Sequence, residues 1–119
     1  MRCISTRIHA MLDYVVGILL IAAPWIFNFA TGGPAQSIPV ILGLVALVMS
    51  LFTNYEGGLV KMIPMPVHLT IDLLSGIFLA ASPWLFGFAG MVFLPHLVVG
   101  ILEIAVSLCT IKAPFVSRV

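Results

Sequence analysis

The chain has 119 residues, of which 62% are hydrophobic and 8% charged, with a formal net charge of +1 and a mean hydropathy of +1.27. Too few polar side chains are present to cover a soluble domain, and there is no basic footprint for nucleic acid. An integral membrane protein, with the lipid bilayer as its first partner, is the class that remains.

The first apolar block runs over roughly 8–29, preceded by Arg2 and Arg7. It is long enough to cross a hydrocarbon core of about 30 Å at about 1.5 Å per residue. A secretory signal is the rival reading of these residues, with Ala22-Ala23 before Pro24 as the cleavage site. His9 and Asp13 interrupt such a core, and the same segment recurs further along the chain. Pro24 closes the helix, because proline lacks a backbone donor and crowds the preceding turn. Trp25, Phe27 and Phe29 then fall where an aromatic belt is expected.

Thr31–Ser37 is rich in turn residues, and Ser37 with Pro39 predicts the start of a second helix in a block over roughly 38–53. A linker, 54–66, carries Lys61 between Gly57-Gly58 and Pro64-Met-Pro66. The third block spans roughly 67–88, and an uncharged connection around 89–94 leads to a fourth over roughly 95–111. The second and fourth blocks are short for spans but take that role from their place in the pattern. Lys112 and Arg118 follow. With four spans, all five cations share one face, and the positive-inside rule places both termini in the cytoplasm. Cys3 and Cys109 lie near that reducing face, where a disulfide is not expected, and they have no metal-ligand spacing.

The third block repeats the first. Residues 8–30 and 67–89 align at an offset of 59 with 11 of 23 positions identical, among them His9/His68, Asp13/Asp72, Gly17/Gly76, Pro24/Pro83 and Trp25/Trp84. The returning segments align at an offset of 57, with Gly43/Gly100, Ser50/Ser107, Leu51/Leu108 and Thr53/Thr110 identical. Retention of polar and special residues in register indicates a duplication. The predicted fold is an all-α membrane protein: four transmembrane helices as two tandem helical hairpins, related by a pseudo-twofold axis along the membrane normal. Its divisions are a cytoplasmic N-terminus, 1–7, a first repeat, 8–53, the cytoplasmic linker, 54–66, a second repeat, 67–111, and a cytoplasmic C-terminus, 112–119. The stripes Gly43, Ala46, Ser50, Thr53 and Gly100, Glu103, Ser107, Thr110 are expected to face other helices, since small residues permit close approach in lipid.

Ser82-Pro83-Trp84 at the end of a span, echoed by Ala23-Pro24-Trp25 in a duplicated two-span unit, resembles the SPW-repeat family of small membrane proteins. The resemblance covers about 8–111 and implies a membrane-embedded two-repeat fold with no settled activity to transfer; the expected location is a bacterial-type inner membrane. The first copy has Ala23 where the motif has serine, so a hydroxyl is not required in both units.

The candidate polar cluster is His9, Asp13, His68, Asp72 and Glu103. His9/Asp13 and His68/Asp72 are each four apart and share a helix face. Ionisable groups within a span usually face the bundle interior and mark functional sites. Gly17, Gly76, Pro24, Trp25, Ser82, Pro83 and Trp84 are assigned to the repeat framework, and His96 to the solvated outer interface. The leading reading is structural: a non-enzymatic scaffold or accessory subunit that self-associates or joins a larger complex, with no cofactor. A proton- or ion-coupled conduit through the cluster is the first alternative. Haem or a divalent metal held by His9 and His68 is the second.

Overall fold

A computed structural model describes residues 3–112 of the chain. Its four helices are α1 (Thr6–Ile26), α2 (Pro34–Leu51), α3 (Met65–Leu85) and α4 (Leu94–Cys109). Three are long and apolar enough to cross a membrane, and α4 is a shorter apolar helix of 16 residues. Among the described residues no strand forms. Arg2 and Arg118, two of the cations used to orient the chain, lie outside that range, while Arg7, Lys61 and Lys112 fall at one end, beside the linker.

The helices pair as two hairpins, α1 on α2 and α3 on α4, with fewer contacts between the pairs. Each hairpin crosses at glycines. A Cβ on Gly43 would lie 2.6 Å from the Gly17 carbonyl oxygen, and one on Gly100 would lie 2.7 Å from that of Gly76. The retained glycines thus let two backbones touch, which in lipid replaces hydrophobic drive with van der Waals contact.

Both long odd-numbered helices end alike. Phe27 and Phe86 are the C-caps, Asn28 and Gly87 take left-handed φ values of 62° and 73°, and the amides of Phe29 and Phe88 bond the Pro24 and Pro83 carbonyls at 2.7 and 2.8 Å. This is a Schellman ending, in which the residue after the left-handed one tucks its apolar side chain inward. Phe29 is accordingly buried in the core and is not a belt residue, whereas Trp25 and Trp84 are exposed on the outside. The core at this end joins both hairpins through Leu20, Phe29, Ile38, Leu79, Phe88 and Val99.

The second helix begins earlier than Ser37. Gly33 is its N-cap and Pro34 opens the first turn, where the missing donor costs nothing; Ser37 instead bonds the Gly33 carbonyl and Pro39 lies inside the helix. At the opposite end the linker folds back over the bundle. Thr6 donates to Glu56 at 2.6 Å and Tyr14 donates to the Gly57 carbonyl at 2.6 Å, so 55–58 cap the start of α1. Two isolated parallel bridges, Ile4 with Thr110 and Thr53 with Ile63, tie the lead-in of each repeat to the tail of the other.

Candidate functional site

Toward the linker end of the bundle lies a polar cluster built from both repeats. His9 and Asp13 share the inner face of α1, and His68 and Asp72 share that of α3. The bundle brings all four together. His9 Nε2 is 3.1 Å from Asp13 Oδ1 and 2.8 Å from Asp72 Oδ2, and His68 Nε2 is 3.0 Å from Asp13 Oδ2 and 3.0 Å from Asp72 Oδ2. Each histidine therefore meets its own repeat's aspartate and the other's. The imidazoles are fully buried, stacked edge to face with centroids 5.3 Å apart, while the carboxylates keep slight exposure.

The far nitrogens are held by threonines at the helix tails. Thr110 Oγ1 lies 2.8 Å from His9 Nδ1 and Thr53 Oγ1 lies 2.6 Å from His68 Nδ1. Both hydroxyls also donate to carbonyls one turn back, those of Val106 and Met49, at 2.6 Å. A hydroxyl has one proton, so its oxygen must accept from the histidine, which fixes the proton on Nδ1 of both rings. The threonine belongs in each case to the repeat opposite the histidine. Nε2 is thereby left facing the aspartates. Since an ionised carboxylate only accepts, a hydrogen bond between the two needs a proton on the imidazole or on the acid. Two imidazoliums with two carboxylates sum to zero charge, the arrangement least penalised by a low-dielectric interior.

The two copies differ around this core. Tyr55, fully buried against the His68 ring, donates to Asp13 Oδ2 at 2.7 Å. Burial, and then the neighbouring Asp13 charge, pushes its phenol well above the ordinary tyrosine range, so it remains a donor. The equivalent position in the second repeat is Lys112, exposed at the surface. Glu103 stays outside the group of four; it is half-buried and lines a cavity of about 40 Å³ with His9, Asp13, Asp72 and Ser75. The histidine rings are too close for a porphyrin to pass between them, so the cluster does not fit bis-histidine haem.

His96 is not at a solvated interface. It is buried between Phe29 and Phe88, with Nε2 donating to the Ala35 carbonyl at 2.8 Å. Ala35 is the residue whose carbonyl Pro39, lacking an N–H, cannot serve. Ser82 does the same work beside the second repeat's proline: its hydroxyl donates at 2.7 Å to the Leu79 carbonyl that Pro83 leaves without a helical donor. A substitute donor offsets the carbonyl that a proline strands within a span, which gives the serine of the Ser-Pro-Trp run a physical role.

The family model of the SPW repeat domain matches residues 7–110. The chain belongs to the SPW repeat family. No match was found among curated proteins or among solved structures. With its apolar helices, this SPW protein is a membrane protein, and its His/Asp cluster lies inside the matched region. Threonines 53 and 110 and Tyr55 are site residues that sequence reasoning missed. The signal for the threonines is their identity across the repeats, which in the sequence reads only as helix packing; Tyr55 occurs once, in the linker, and has none.

Proposed function

We propose that this SPW protein is a non-catalytic, multi-pass membrane module whose two hairpins are locked into one unit by the His9/Asp13/His68/Asp72 clasp. It works within the bilayer as an accessory or self-associating subunit, with both termini on the cytoplasmic side. The observation that carries the reading is the reciprocity of the clasp: each histidine reaches the aspartate and the threonine of the other repeat. The two halves are thus joined by contacts that cross between the repeats in both directions. The connections at the Trp-bearing end are short, with 27–33 and 86–93 between helices, and leave no room there for a soluble catalytic domain.

The test is the mass of the protein extracted from its own membrane in mild detergent. The reading expects an assembly larger than the monomer, either of identical chains or with another membrane protein. A monomer alone, with ion flux in reconstituted vesicles, would contradict it. Glu103 supports the second reading, an ion conduit, because it places a third carboxylate on the cavity beside Asp13 and Asp72. That reading requires vesicle flux that Glu103→Gln abolishes.

A further inference from the structure

The clasp leaves one geometric feature unexplained. His68 Nε2 is completely buried and lies 3.0 Å from an oxygen of each aspartate, yet neither oxygen lies along its ring N–H, so it makes no proper hydrogen bond. The nitrogen is placed between the two carboxylates, the position from which a lone pair would enter a centre they share.

We infer that His9 Nε2, His68 Nε2 and one carboxylate oxygen each from Asp13 and Asp72 form a binding site for a divalent transition-metal ion of the Zn²⁺ kind. This rests on the clasp reading above and adds a ligand to it. One ligand atom from each residue lies within 4.8 Å of the other three. Around a tetrahedral ion with bonds of about 2.0–2.1 Å, ligand atoms stand about 3.3 Å apart. With Asp13 Oδ2 and Asp72 Oδ2 as the oxygens, three His–Asp contacts of 2.8 to 3.0 Å fall slightly inside that spacing and no pair of ligand atoms exceeds 4.8 Å, so the ion enters by a local adjustment of the side chains. The adjoining cavity, about 40 Å³ and lined by His9, Asp13 and Asp72, admits a species the size of water.

Two further features belong to a metal centre. Thr53 and Thr110 hold the protons on Nδ1, which aims the Nε2 lone pairs inward; outer partners of this sort orient metal-bound histidines. Charge also balances. The ion displaces the protons on the two Nε2 atoms, and a dication with two carboxylates and two neutral imidazoles is again neutral. Two imidazole nitrogens select a transition metal over Mg²⁺ or Ca²⁺, which take oxygen ligands.

The experiment uses the full chain, purified in detergent and stripped with a chelator, with Co²⁺ as the probe and Zn²⁺ as competitor. One Co²⁺ per chain is expected, with the visible absorption of a tetrahedral site, lost when Zn²⁺ is added. Thr53→Val with Thr110→Val should weaken binding by about 10- to 100-fold, the usual cost of losing outer-shell partners. Asp13→Asn with Asp72→Asn should abolish it, and His96→Gln should not change it. If the aspartate variant loses its helical circular dichroism, the threonine variant decides. Absence of stoichiometric Co²⁺ and Zn²⁺ binding by natively helical wild type overturns the inference, as does unchanged affinity in the threonine variant. The clasp reading fails separately, if the aspartate variant melts at the wild-type temperature.

Discussion

His96 stands in the second repeat where Pro39 stands in the first, and it donates to the one carbonyl that Pro39 leaves unserved. The two departures from the repeat thus form a matched pair. Removing the donor alone strands a buried carbonyl, at a cost of about 1–3 kcal/mol. His96→Ala should lower stability by at least that much, since it also opens a cavity between Phe29 and Phe88. A Pro39→Ala background restores the helical N–H to the Ala35 carbonyl, and there the penalty of His96→Ala should shrink. Thermal or denaturant unfolding in detergent of the four proteins in this cycle measures the difference.

The serine of the Ser-Pro-Trp run yields a paired prediction. Ser82→Ala removes the donor to the Leu79 carbonyl and should cost about 1–3 kcal/mol. Ala23 occupies the equivalent buried position, so Ala23→Ser gives the first repeat the donor it lacks beside Pro24. A rise in melting temperature is the expected result, checked by the same unfolding assay.

At the helix crossings, the test is a single added methyl. A Cβ on Gly100 would sit 2.6 Å from the Ala80 nitrogen and 2.7 Å from the Gly76 oxygen, both backbone atoms that cannot swing aside. Gly100→Ala should therefore push α3 and α4 apart and destabilise by about 1–3 kcal/mol, as overpacking does. Gly90, with open space around it, provides the control: Gly90→Ala should leave the melting temperature close to wild type.

Tyr55 sets an alkaline limit. Its phenol titrates higher in the folded protein than in the unfolded chain, because burial and Asp13 disfavour the phenolate. A raised folded value means the stabilisation is full below the unfolded pKa of about 10 and is lost as pH rises beyond it. Melting temperature should fall above about pH 10, and Tyr55→Phe should flatten that fall while lowering stability at neutral pH by freeing Asp13 Oδ2. Both profiles come from one series of melts against pH.

Much of the fold is legible in the sequence, because membrane constraints write themselves in composition and spacing. Apolar length locates the helices, and the retained His, Asp and Gly positions mark the inner face of α1 and α3. What a single segment cannot reveal is reciprocity. Threonines 53 and 110 lie 15 and 101 residues from the histidines they hold, so only the folded bundle pairs them. Ser37 is a false start for α2 because Gly33-Pro34 also fits a helix opening, and the carbonyl that Pro39 strands inside the helix is served by His96, distant in sequence. His96 looks solvated in the sequence for the same reason: its partner belongs to the other hairpin.

The cross-repeat contact between His9 and Asp72, 2.8 Å apart, is the centre of the clasp. Its most direct measurement is the coupling energy from a double-mutant cycle of His9→Gln, Asp72→Asn and both together, by unfolding in detergent. Breaking one partner of a buried pair should cost about 3–5 kcal/mol. Once the first is gone, loss of the second should add little, giving a coupling of at least about 2 kcal/mol. Additive effects, with coupling within about 0.5 kcal/mol of zero, would contradict a clasp between the repeats.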